Sequence, residues 1–340
     1  DDYRNEASTY GYIVEIDPYN SATLATKRTA LGRFRHEGCC PGLPVAGKPL
    51  VWYMGDDSNN EYLYKFVSTA VWDAADANPA DRLATGAKYL DQGKLYVARF
   101  NADGTGVWLL LDVATATTGG STLGALYGDL PGIILNTRGA GDAVGATPMD
   151  RPEWTTVNPL NGDVYLTLTN NSARTPEKVD AANPRGPNRH GHIIRWHDSD
   201  DQLSFTWDIF VFGANAAGSA DINRSGLTEL NQFASPDGMS FDSRGILWFQ
   251  TDNGESTLTD YTNDQMLAVI PTDLVDANGK QVPVNAQNQV DLRRFFVGPN
   301  GCEVTGIAFS PDNKSMFVNI QHPENWPYTD KATDATPAGG

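Results

Sequence analysis

The sequence predicts an all-β protein of the β-propeller type, and three observations carry that expectation. A short apolar strand, a turn and a second apolar strand recur at 154–171, 238–254 and 306–322. The turns are built from Pro, Asn, Asp and Gly, which tolerate hairpin backbone angles, and repetition of a hairpin signals radially arranged blades. Composition agrees, since 13 Tyr, 13 Phe and 8 Trp stand beside 33 Gly and 20 Pro, the balance of an aromatic-rich β protein with many turns. Finally, a carboxylate closely precedes each hairpin, in Arg151-Pro152-Glu153, Ser235-Pro236-Asp237 and Cys302-Glu303. Equivalent positions on inner strands converge at one mouth of a propeller channel. Three acids distant in sequence can therefore meet around a hard cation such as calcium, which prefers oxygen ligands. Solvated acids near strand ends are the competing explanation.

The remaining elements follow in order. A first hairpin is expected from Gly11–Pro18 and Lys27–Phe34, a second from Pro49–Asp57 and Glu61–Val67, and a third from Leu95–Phe100 and Gly106–Leu111 around Asn101–Gly104. These runs have the spacing of sequential antiparallel strands. Ala-, Asp- and Gly-rich connections lie between them, at 70–93, 114–149 and 172–188. The stretch 122–135 predicts a short helix, Gly139–Asp142 reads as loop, and the Asp-rich tail 328–334 reads as mobile surface. Long loops over a propeller mouth commonly carry function. No linker divides the chain, so residues 1–340 are expected to form one domain, with material for four or five blades of about 40 to 60 residues each.

With 42 acidic against 25 basic residues and a formal net charge of −17, the chain is not expected to bind nucleic acid or anionic lipid. Some of its acids would need cations in order to coexist closely. No apolar run reaches the roughly 20 residues of a bilayer span, and Asp1–Arg4 has no signal-peptide pattern. Cys39, Cys40 and Cys302 allow one bridge, from Cys39 or Cys40 to Cys302, plus one thiol. Among the histidines, His36 beside Glu37 can orient a ligand or cap a strand. His190 and His192 alternate, which would place both on one strand face, more as polar surface than as a metal pair. Asn170 or Asn171 can meet a phosphate or form a turn, and Asp56-Asp57 can bind a cation or cap the loop before Glu61.

Assembled, these residues closely resemble the PhoX family of bacterial alkaline phosphatases. The matching segments include Tyr12–Pro18, Lys27–Gly38, Tyr53–Asp57, Tyr62–Ser68, Leu95–Phe100, Met149–Trp154, Thr167–Asn171, Ser235–Gly238 and Gly301–Gly306, with Gln321-His322-Pro323 completing the set. They run in order over nearly the whole chain. The resemblance implies a six-bladed propeller that hydrolyses phosphomonoesters with calcium and a ferric iron pair, exported to the periplasm or outside the cell. It implies Glu37 and Glu153 as metal ligands and Arg151 as the group that grips a phosphate oxygen. Asp237 and Glu303 are the next candidates for metal binding, with Asp252 behind them. Family members carry, upstream of the stretch matching Tyr12, a Trp-containing segment with a Cys-Glu pair whose thiolate binds iron. The expectation is therefore a chain that supplies part of a propeller, without that N-terminal blade material or the closing C-terminal strand, the rest belonging to another segment or a second chain.

The chemistry expected is transfer of a phosphoryl group to a metal-activated oxygen. Cations neutralise the non-bridging oxygens, and the planar fork of Arg151 matches phosphate. No Ser-His-Asp order or nucleophile elbow stands against this. Two rivals share the carboxylates. A calcium-dependent lactonase or sugar-acid hydrolase would lack the phosphate-gripping arginine, and a calcium-stabilised binding propeller would show no turnover in any metal state.

Overall fold

The computed structural model describes residues 6–253, 261–299 and 302–321. Two compact units emerge, Asp1–Pro152 with Asp198–Thr206, and Glu153–His197 with Trp207–Gly340. The class is all-β, with mostly antiparallel sheets.

The first unit opens on a small hairpin, β1 (Ile13–Glu15) against β2 (Thr26–Arg28). Arg28 is buried there and ion-paired with Glu15 at 2.5 Å and Asp91 at 3.0 Å. One antiparallel sheet then takes β3 (Cys40–Pro41), β4 (Pro49–Gly55), β5 (Leu63–Val71), β6 (Gly93–Phe100) and β7 (Thr105–Leu110) in chain order. Ser204–Thr206 pair with β7. Alternation along β5 sends side chains to opposite faces. Tyr64 and Phe66 enter a core with Leu31, Met54, Val97, Leu123 and Ile133, and full burial of such a ring contributes about 2–3 kcal/mol. Lys65 faces the other way, bonded to Asp198 at 2.9 Å and lying 4.4 Å from the Trp108 ring. Burial lowers its pKa to about 8.

Between β5 and β6 lies α1 (Arg82–Leu90), whose N-cap Asp81 accepts from the Ala84 N–H. The expected short helix at 122–135 is two, α2 (Leu123–Tyr127) and α3 (Leu130–Leu135), capped by Thr122 and Asp129. The segment Gly139–Asp142, expected as loop, lies instead within α4 (Thr137–Val144). Its glycines serve packing, because a Cβ on Gly141 would stand 2.9 Å from the Tyr62 ring. The Tyr62 hydroxyl donates to Asp142, and α4 ends on Gly145 in the left-handed region.

The strands β8 (Pro152–Val157), β9 (Val164–Leu168), β10 (His192–Asp198) and β11 (Ser204–Phe212) neighbour one another in the order β11-β10-β9-β8. A four-stranded antiparallel meander follows, β12 (Pro236–Phe241), β13 (Leu247–Thr251), β14 (Gln265–Val269) and β15 (Arg293–Val297). The hairpin of β16 (Glu303–Phe309) and β17 (Met316–Gln321) comes last. All three repeats expected from sequence are thus strand pairs. Every residue of β9 and β13 is buried, as expected of interior strands covered on both faces. Their core gathers Tyr165, Ile193, Phe210, Phe233, Met239 and Phe249.

Two smaller expectations change. His190 and His192 share no strand face, since β10 begins at His192 and Gly191 between them has φ +68°. None of the three cysteines forms a disulfide. His322 and the 328–334 tail lie outside the described residues.

Candidate metal and phosphate site

Glu153 and Asp237 occupy the same place in two strands, second in β8 and second in β12. Each follows a proline, and each proline follows a residue in the left-handed region, Arg151 at φ +54° and Ser235 at φ +52°. Proline pushes the residue before it toward extended backbone, and a left-handed non-glycine costs of order 1 kcal/mol. Surrounding hydrogen bonds hold this turn around Ser235. Its N–H donates to the His190 carbonyl and its own carbonyl accepts from the Asp252 N–H, both at 2.9 Å. Hydroxyls of β9 and its end clamp the next two residues, Thr169 donating to the Pro236 carbonyl at 2.9 Å and Thr167 to that of Asp237 at 2.8 Å.

The result is a pair of buried carboxylates, Glu153 1% and Asp237 6% exposed, with oxygens within 4.8 Å of each other. Two anions buried so closely disfavour each other's charge. A hard cation between oxygen donors relieves that cost, so the pair fits calcium. Asp264, just before β14, extends the acidic ground. Burial raises its pKa to about 7, with Asp252 and Asp237 adding to the rise. Thr251 Oγ1 and the Asn253 N–H oppose this by donating to its Oδ1 at 2.6 and 2.7 Å. Glu303 opens β16 and is buried, and its Oε2 accepts from Gln321 at 2.8 Å.

Arg151, Glu37 and His36 belong to the first unit. The Arg151 guanidinium is gripped along one edge by Asp57, Nε to Oδ1 at 2.8 Å and Nη2 to Oδ2 at 3.0 Å. Asp57 is itself tied to the Arg35 carbonyl through its N–H at 3.0 Å. Next to it the buried Asp56 pairs with Arg138 at 2.5 Å, and Arg138 reaches Glu61 at 3.5 Å. Burial and the Asp56 charge raise the Glu61 pKa to about 7. Glu37 is exposed, and its N–H donates to the Gly55 carbonyl at 3.2 Å. His36 stacks on Phe34 with centroids 3.6 Å apart, and its Nε2 donates to the Gly32 carbonyl at 3.1 Å. Burial lowers its pKa to about 4, leaving it neutral.

The asparagines divide their roles. Asn170 Nδ2 donates to Ser235 Oγ at 3.3 Å, while Asn171 Oδ1 accepts from the Ala173 N–H and shapes a turn. Sequence reasoning set Asp57 aside and did not single out Asp264. Asp264 precedes β14, which opens none of the three repeated hairpins, so the signal that marked Glu153 and Asp237 does not reach it.

A family model of the alkaline phosphatase PhoX matches residues 1–324. The chain belongs to the PhoX family. Among solved structures, Pseudomonas fluorescens PhoX in complex with vanadate, a transition state analogue, is 39% identical with a TM-score of 0.78. The match covers 95% of this chain and 55% of that one, so the chain spans just over half the length of this PhoX relative. A Trichoderma reesei carbohydrate-active enzyme of family AA12 is 12% identical over 91% of this chain and 84% of its own, and its TM-score of 0.29 supports no argument. No curated protein matches the chain. Among the described residues no helix is long and apolar enough to cross a membrane.

Proposed function

We propose that this chain carries the metal and phosphate site of an exported alkaline phosphatase that hydrolyses phosphomonoesters. The observation that carries the proposal is the PhoX family match over residues 1–324. A relative that binds vanadate as a transition state analogue fits the same chemistry, since phosphoryl transfer spreads negative charge over oxygens that need fixed positive partners. On this reading the β12–β15 meander is one blade of a six-bladed propeller, and the chain is one propeller domain supplying part of the blades.

Glu153 and Asp237 are the calcium ligands best supported by geometry, and Glu37 and Glu303 are carried over as metal ligands from the resemblance. A calcium ion bound there supplies positive charge to the non-bridging oxygens and lowers the pKa of an attacking water. Arg151 binds and orients the phosphate. Asp57 fixes the plane of its guanidinium. Keeping that plane fixed limits the reorganisation required when charge develops. Ferric iron is carried over on the resemblance alone. No step is routed through it.

Hydrolysis of p-nitrophenyl phosphate tests this reading, after chelation and again after calcium and iron are restored. Restored metals are expected to bring back turnover. Arg151→Ala should lower kcat/KM by about 100-fold or more, and Glu153→Gln should abolish the calcium response. Lack of hydrolysis by the metal-loaded protein would overturn the phosphatase reading, and an unimpaired Arg151→Ala variant would overturn the role of the arginine.

A further inference from the structure

The second unit contains a cavity of about 390 Å³ whose wall includes Arg185, Arg189, Arg224 and His190, with Asp221 as the single acid among the described residues that line it. Three guanidiniums against one carboxylate reverse the balance of a chain with 42 acids and 25 bases. The arginines are held differently. Arg185 is buried, and its donors reach the carbonyls of Gly213 at 2.7 Å, Ile222 at 3.1 Å and Gly191. Arg224 is exposed and anchored by the Asp221 carbonyl at 3.0 Å and the Pro184 carbonyl at 3.2 Å. Both guanidiniums lie over the Phe212 ring, at 5.0 and 5.4 Å from its centroid, a contact that orients the fork without neutralising it. Arg189 is exposed. Among the described residues neither Arg189 nor Arg224 has a carboxylate partner within ion-pair distance.

We propose that this cavity is a subsite for a phosphate group, either the second phosphate of a bisphosphorylated substrate or free inorganic phosphate. Arginine forks match phosphate oxygens in geometry as well as charge. The cavity also adjoins the turn that presents Asp237. His190 lines the cavity, and its carbonyl accepts the Ser235 N–H at 2.9 Å, two residues before that acid. A ligand group seated among the arginines therefore sits against the backbone that places the acid. The substrate version rests on the phosphatase reading, whereas the anion chemistry does not.

The test compares the wild-type protein with the double variant Arg189→Gln/Arg224→Gln, both exposed positions, after thermal melts show equal folding. Calorimetric titration with inorganic phosphate decides the pocket. The expected result is a phosphate-binding step in the wild type that weakens about tenfold or more in the variant, the scale of losing a charged hydrogen bond. Identical binding by the two proteins overturns the proposal. Kinetics on metal-loaded enzyme then decide the source. If the second phosphate of the substrate occupies the cavity, KM for fructose 1,6-bisphosphate rises about tenfold in the variant while that for p-nitrophenyl phosphate stays within about twofold. An unchanged ratio of the two, together with weakened phosphate binding, assigns the pocket to free phosphate. Weakened phosphate binding in a protein that hydrolyses neither substrate upholds the pocket and discards the phosphatase reading.

Discussion

His192 shows how neighbours settle the chemistry of one side chain. It is fully buried, its Nε2 donates to the Ala182 carbonyl at 2.8 Å, and its Nδ1 accepts from Asn188 at 3.1 Å. Burial and then the Arg185 charge lower its pKa to about 3, so the folded imidazole is neutral throughout the physiological range. The unfolded histidine takes up a proton near its ordinary value of about 6.5. Its contribution is therefore complete above that pH and is lost as pH falls from about 6.5 toward 3. From this group the wild type should lose about 2 kcal/mol between pH 7 and pH 5. Denaturant unfolding at the two pH values should show that loss reduced by a similar amount in His192→Gln, and equal losses would refute the assignment. Little of this was legible in the sequence. The alternation His190-Gly191-His192 gave a common strand face, but the left-handed Gly191 breaks the two-residue period. Arg151 is a parallel case, since its motif could be read locally while its partner Asp57 lies 94 positions away.

At the scale of the element, the openings of β8 and β12 repeat a single device. A left-handed residue, a proline and an acid turn the chain so that the acid enters the strand already buried. The spacing of these motifs before each hairpin was legible because turn residues and alternation are local properties. The strain was not, because neither Arg nor Ser announces a positive φ. Ser235 allows a direct test. Ser235→Gly should be neutral or stabilising by about 1 kcal/mol, because glycine adopts the left-handed region freely. Ser235→Val should cost about 2 kcal/mol, since a β-branched side chain tolerates that region poorly. Urea titrations of both variants check the order, and a valine variant as stable as the glycine variant would remove strain from the account. Helix α4 was missed for a related reason. Its glycines resemble loop residues locally, and only the Tyr62 ring lying against Gly141 shows that they exist for close packing.

For the whole molecule, the paired burial of Glu153 and Asp237 predicts that stability depends on calcium. Binding at 100 times the dissociation constant adds about 2.7 kcal/mol, so chelation should lower the melting temperature by a few degrees and calcium should restore it. Glu153→Gln should abolish most of that response in calorimetric scans, and an unchanged response would place the stabilising ion elsewhere. The sequence by itself determined the all-β class, the three repeated hairpins, the family and the acids Glu153 and Asp237. Each of these depends on short-range pattern: the two-residue strand period, the chemistry of turns, and ordered motifs along the chain. Tertiary structure alone decided that Asp57 grips Arg151, that burial raises the Asp264 pKa to about 7, and that Arg185, Arg189 and Arg224 gather around one cavity. Those outcomes depend on which distant segments are buried against each other. Burial sets both the cost of a charge and the identity of its partner, and neither is written in the neighbouring residues.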